Sequence, residues 1–181
     1  TLLTAAGINS YYAVIYNDRT EQKFDINFPE LNGNHVVLMV PTENGNIWLE
    51  NTSQKIAFNH LGFSSLNRNV LAVKENGIEI IDTPIYKPEE SKELMKASVK
   101  INEDASISST AKFAYTGGQY DYSLYMFGLK NEELKEAIKN NYYGLKIGDV
   151  AIENLNNNRD VAEISYDLNL KANDFSKKLG N

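Results

Sequence analysis

The sequence predicts an α+β fold, mainly β, with antiparallel strands. Three observations lead there. Apolar and polar residues alternate over short runs, most cleanly at 106–115 and 162–172. Asn-Gly pairs at Asn44-Gly45 and Asn76-Gly77 stand between β-forming segments, as hairpin turns require. A single stretch, Asn131 to Tyr143, carries the caps and apolar stripe of a longer helix. Eleven tyrosines in 181 residues fit the same class, because aromatic rings suit a half-buried pleated surface.

The elements follow in order. Thr1 to Ala6 reads as the tail of a helix stopped by Gly7. Ser10 to Tyr16 reads as a buried strand. The connection from Asn17 to Asn34 is long and polar, with Phe24, Ile26, Phe28 and Leu31 as its expected anchors. A hairpin follows: Asn34 to Val40, a turn over 42–46, and Ile47 to Ser53. On its first strand His35, Val37 and Met39 share a face; on its second, Trp48 and Glu50 do. Residues 54–69 look irregular, with Ile56, Phe58, Leu61 and Phe63 as apolar contacts. A second hairpin spans 70–73 and 78–81.

The stretch 83–91 carries two prolines and several charges, and is the expected linker. Residues 1–82 and 92–181 are then separate domains. Beyond the linker, strands are expected at 94–101, 106–115, 150–155 and 162–172, with the helix at 131–143 capped by Asn131. Tyr120 to Leu129 is apolar and ambiguous. The second domain reads as a small β-sandwich with one helical crossover.

Composition bounds the function. A net charge of −6 argues against a nucleic-acid binder, which carries a basic patch. Without cysteine, these residues hold no disulfide, no thiolate metal site and no cysteine nucleophile. There is no apolar run long enough for a transmembrane segment and no signal peptide. Neither a phosphate-cradling glycine loop nor a zinc or calcium motif is present, so no cofactor and no metal are expected.

The candidate chemistry lies on the first hairpin. Folding it antiparallel brings His35 and Glu50 together at its open end. A carboxylate there holds the imidazole in one tautomer while the other ring nitrogen faces a nucleophile. By spacing alone this is a weak pattern, and a surface histidine beside an exposed glutamate is the plainer reading. Trp48 is placed either as the roof of a substrate cleft or in the core. His60 reads as a loop histidine. Tyr115 to Tyr125 reads either as a sugar- or peptide-stacking surface or as sandwich packing.

Several segments resemble the transglutaminase-like superfamily. Leu2-Leu3-Thr4-Ala5-Ala6-Gly7-Ile8-Asn9-Ser10-Tyr11-Tyr12 resembles the helix-to-strand passage that follows its catalytic cysteine. Asn34-His35-Val36-Val37 resembles its histidine strand, and Ile47-Trp48-Leu49-Glu50-Asn51-Thr52-Ser53-Gln54 its carboxylate strand. Most of that superfamily has aspartate where Glu50 stands. Glutamate resembles a branch of multidomain envelope proteins in Bacteroidetes, in which Ala114-Tyr115-Thr116-Gly117-Gly118-Gln119-Tyr120-Asp121 resembles part of the C-terminal β domain. The resemblance implies the C-terminal strands of a papain-like core followed by an accessory domain.

It also implies a cysteine-dependent acyl transfer or amide hydrolysis on a peptide or protein. His35 would be the general base and acid, and Glu50 its orienter. The nucleophile would lie upstream of Thr1, and the chain alone would be inactive. A preceding portion or a second copy would complete the core, in the periplasm or cell envelope. The reading from a different class is a non-catalytic binding or scaffolding module.

Overall fold

The computed structural model of the chain describes residues 2–18, 20, 22–28 and 30–176. The fold is α+β and mainly β, with two antiparallel sheets. Two compact units divide it. One runs to Lys87 and takes in Arg159–Ala162; the other holds Pro88–Asn158 and resumes at Glu163. The change at Lys87 falls within the proline-bearing 83–91 stretch, whereas a contiguous division of the sequence does not foresee the Arg159–Ala162 segment. Among the described residues no helix is long and apolar enough to cross a membrane.

In the first unit, helix α1 (Leu2–Ala5) ends where the Ile8 N–H reaches the Leu3 carbonyl at 2.9 Å. The strands are β1 (Tyr11–Ile15), β2 (His35–Thr42), β3 (Gly45–Leu49), β4 (Asn69–Lys74) and β5 (Gly77–Asp82). They form one sheet in the order β3-β2-β1-β4-β5. Both hairpins turn on a glycine with positive φ, Gly45 at 115° and Gly77 at 131°, a conformation that costs glycine little.

Cross-strand neighbours build the core of this unit. Ala13 pairs with Val37 on one side and Ala72 on the other, and Met39 pairs with Trp48. All five are buried. The opposite face of the sheet leaves Tyr12, Val36 and Val73 exposed.

The connection before β2 is held differently from expectation. Phe24 is buried, stacked on Tyr16 at 4.7 Å, and its backbone is gripped at both ends by the Asn69 amide. Ile26, Phe28 and Leu31 are exposed and anchor nothing. Polar contacts hold the rest: the Tyr16 hydroxyl donates to the Asn32 side-chain oxygen at 2.5 Å, and the Arg68 guanidinium to the Asp18 carbonyl at 3.0 Å. Likewise Ile56 and Leu61 are buried while Phe58 and Phe63 are exposed.

The second unit contains β6 (Glu93–Ile101), β7 (Ile107–Thr116), β8 (Lys146–Asn158) and β9 (Glu163–Asn173), in the order β6-β7-β9-β8. The layer facing this sheet is helical rather than a second sheet. It consists of α2 (Gly118–Ser123), a 3-10 turn (Leu124–Gly128) and α3 (Asn131–Asn141). Met126, Leu134 and Ile138 from that layer pack with Phe113, Tyr166, Leu168 and Leu170 from β7 and β9. The ambiguous 120–129 run therefore folds as helix and turn, and supplies the burial that a sandwich would take from strands.

Two boundaries shift for local reasons. Lys130, not Asn131, holds the N-cap position of α3, because its N–H donates to the Glu133 carboxylate at 2.8 Å. Strand β8 outruns the expected 150–155 segment at both ends. Its register shifts twice against β9, and such irregularities erase the alternation that would show its length.

Candidate functional site

The hairpin β2–β3 builds the site. Its register pairs Leu38 with Leu49 and Met39 with Trp48. His35 opens β2 and Glu50 directly follows β3, so both stand at the open end of the hairpin. The Glu50 Oε2 atom is 2.7 Å from His35 Nε2, with the side chains 8% and 16% exposed.

The second carboxylate oxygen is also held. Glu50 Oε1 accepts the Thr52 backbone N–H at 2.9 Å and the Thr52 hydroxyl at 2.6 Å. Burial alone would push the Glu50 carboxyl up. The Thr52 hydroxyl, the His35 ring and the Thr52 N–H outweigh it and hold the carboxyl below its usual value. Facing an ionised carboxylate, Nε2 carries the proton and donates it. In the neutral ring that leaves the lone pair on Nδ1. Among the described residues Nδ1 has no hydrogen-bond partner.

The start of β2 is positioned by two residues just before His35. A side chain on Gly33 would stand 2.7 Å from the Ile15 carbonyl oxygen and from Val14 Cγ1. Only glycine lets the chain pass β1 this closely. The Asn34 side chain then pairs with the backbone of Asn17, accepting its N–H at 2.7 Å and donating to its carbonyl at 3.4 Å. His35 follows directly, opposite Ile15.

His35 shares its strand face with the buried Val37 and Met39, not with exposed Val36. Trp48 is 3% exposed and sits across from Met39, so it is a core residue and roofs no cleft. His60 lies in a loop but is buried, with Nδ1 2.9 Å from the Tyr86 hydroxyl and the two rings stacked. In the second unit Tyr115, Tyr122 and Tyr125 line a cavity of about 450 Å³.

The sequence singles out His35 and Glu50 but gives no separate role to Thr52, Gly33 or Asn34. Thr52 carried a visible signal: a hydroxyl two residues after a carboxylate is a common local hydrogen-bonding partner. Gly33 carried none, since its close approach to β1 exists only in the folded sheet.

No family model, no curated protein and no solved structure matches this chain.

Proposed function

We propose that His35 and Glu50 are the base and its orienting carboxylate in a cysteine-type acyl transfer or amide hydrolysis of the transglutaminase-like kind. The thiol in this reading comes from outside the 181 residues, which contain no cysteine. The observation that supports it is the asymmetric pair: Nε2 is committed to a carboxylate fixed by Thr52, while Nδ1 has no hydrogen-bond partner among the described residues.

The steps follow from that asymmetry. Nδ1 takes the proton of the thiol, and the thiolate attacks a peptide carbonyl carbon. The imidazolium so formed is stabilised by ionised Glu50. It returns the proton to the leaving amine, and a thioester remains. Water or a second amine then attacks the thioester, and the thiol is regenerated. A periplasmic or envelope location, with a peptide or protein substrate, belongs to the same reading.

The test uses the longest polypeptide that the reading frame encodes around these residues. Amide hydrolysis and amine incorporation are measured on a glutamine- or peptide-amide substrate. His35→Ala is expected to lower kcat by about 10²–10⁴-fold, the usual scale for a general base. Undiminished turnover in His35→Ala, or a polypeptide with no thiol at all, would sink the proposal. A second reading, a non-catalytic binding module, is favoured by the tyrosine-lined cavity of the second unit.

A further inference from the structure

Strand β6 is one edge of the second sheet, and no strand among the described residues pairs with its outer side. It runs nine residues, all of them exposed. Its register with β7 is unbroken, from Glu93 across from Tyr115 to Ile101 across from Ile107. Neither a proline nor a bulge blunts this edge.

The two ends of the ladder show which backbone groups are spare. Just beyond β6, the Thr116 N–H donates to the Lys92 carbonyl at 2.9 Å, and the Asn102 N–H to the Ser106 carbonyl at 2.8 Å. Both pairs keep the register of the strand. Antiparallel pairs alternate between bonded and non-bonded, so the even-numbered residues of β6 turn their N–H and C=O groups to β7. The odd-numbered ones, Glu93 to Ile101, turn theirs outward.

Side chains divide by the same parity. Met95, Val99 and Ile101 lie across from Phe113, Ser109 and Ile107 and extend the core face of the sheet, yet they are 60%, 56% and 59% exposed. On the other face Lys96 stands directly across from Lys112, a like-charge pair. Lys112 finds its carboxylate on its far side, in Asp167 at 3.8 Å. Lys96 has only the open edge on its far side. Neither Lys96 nor Lys100 forms an ion pair among the described residues.

We infer that β6 takes up an extended segment of a partner protein as a fifth strand of this four-stranded sheet, with carboxylates on alternate residues facing Lys96 and Lys100 and apolar side chains beside Met95 and Val99. Main-chain bonds to the outward groups give affinity, and the lysines select the segment by charge. A second copy of β6 is the poorer occupant. Antiparallel pairing through the odd-numbered residues gathers Lys96 and Lys100 of both chains on one face, where residues 92–102 place no carboxylate. This uptake is independent of the acyl-transfer chemistry and of the tyrosine-lined cavity.

The test is amide hydrogen exchange by NMR on the whole chain, with three capped peptides about as long as β6. One alternates valine with glutamate, one alternates valine with lysine, and the third is the glutamate peptide N-methylated throughout. The glutamate peptide is expected to slow exchange at Met95, Ala97 and Val99 by about tenfold or more, well above any change at Ser98 and Lys100. The lysine peptide should bind at least about tenfold more weakly, and the N-methylated one not measurably. Lys96→Glu, at an exposed position, is expected to erase the preference for glutamate. Equal binding of the two charged peptides, binding of the N-methylated peptide, or no binding at all would overturn the inference. Protection of Met95, Ala97 and Val99 without peptide, in a chain that sediments as a dimer, would give the edge to a second copy and overturn it as well.

Discussion

Glu50 meets His35 at the open end of the β2–β3 hairpin, with Oε2 2.7 Å from Nε2. Its other oxygen is closed by two donors from Thr52, two residues further along the chain. The carboxylate is therefore rigid before it acts on the imidazole. Among the described residues the imidazole is hydrogen-bonded through one nitrogen alone. Such an arrangement stores orientation in the sequence Glu-x-Thr, where changes of single atoms can be read out.

The Glu50 charge should be visible in stability against pH. Its folded-state pKa lies below the ordinary 4.5, so ionisation favours the folded form. That contribution is complete above the ordinary value and is lost as pH falls through the lowered one. Urea midpoints of the wild type and Glu50→Gln should therefore lie furthest apart near neutrality and converge in acid. A constant gap across the whole range would show that the charge has no such role.

Thr52→Val removes the hydroxyl bond to Oε1 and keeps the shape. The Glu50 carboxyl should move up towards its ordinary value in a carbon-13 NMR titration. The stability loss should be about 1 kcal/mol, typical of one hydrogen bond. An unmoved titration would mean that Thr52 does not hold the carboxylate in solution.

Gly33→Ala should be far more damaging than Gly144→Ala. The first places a Cβ 2.7 Å from a backbone oxygen of β1, while the second meets nothing within 4 Å. Overpacking against backbone costs roughly 1–3 kcal/mol. His35 ring signals should shift in the first variant and stay in place in the second. Equal melting temperatures for the two would show that β1 yields easily.

Trp48→Ala should cost about 3–5 kcal/mol, the scale for a large ring removed from a core. Val36→Ala, on the exposed face of the neighbouring strand, should cost much less. As the only tryptophan, Trp48 should emit at short wavelength when folded and shift to the red on unfolding. Retained stability in Trp48→Ala would return it to the surface.

Much of the first sheet was legible because its signals are local. The Asn-Gly turns and the two-residue period set both hairpins, and the period put His35 on the face of Val37 and Met39. Hairpin length brings Glu50 near His35 at the open end. The anchors of the 17–34 connection were not legible. Phe24 and Phe28 look alike in sequence, and only the buried amide of Asn69, 45 residues from Phe24, distinguishes them.

By itself the sequence determined the mainly β class, the two hairpins and the alternating strands β7 and β9. Each depends on residues close along the chain or on one turn. Tertiary structure alone decided that Thr52 locks the carboxylate, that Gly33 lets β2 start against β1, that Trp48 is core, and that helices face the second sheet. Those outcomes depend on which surfaces meet after the strands have formed, and burial is a property of the meeting, not of either surface alone.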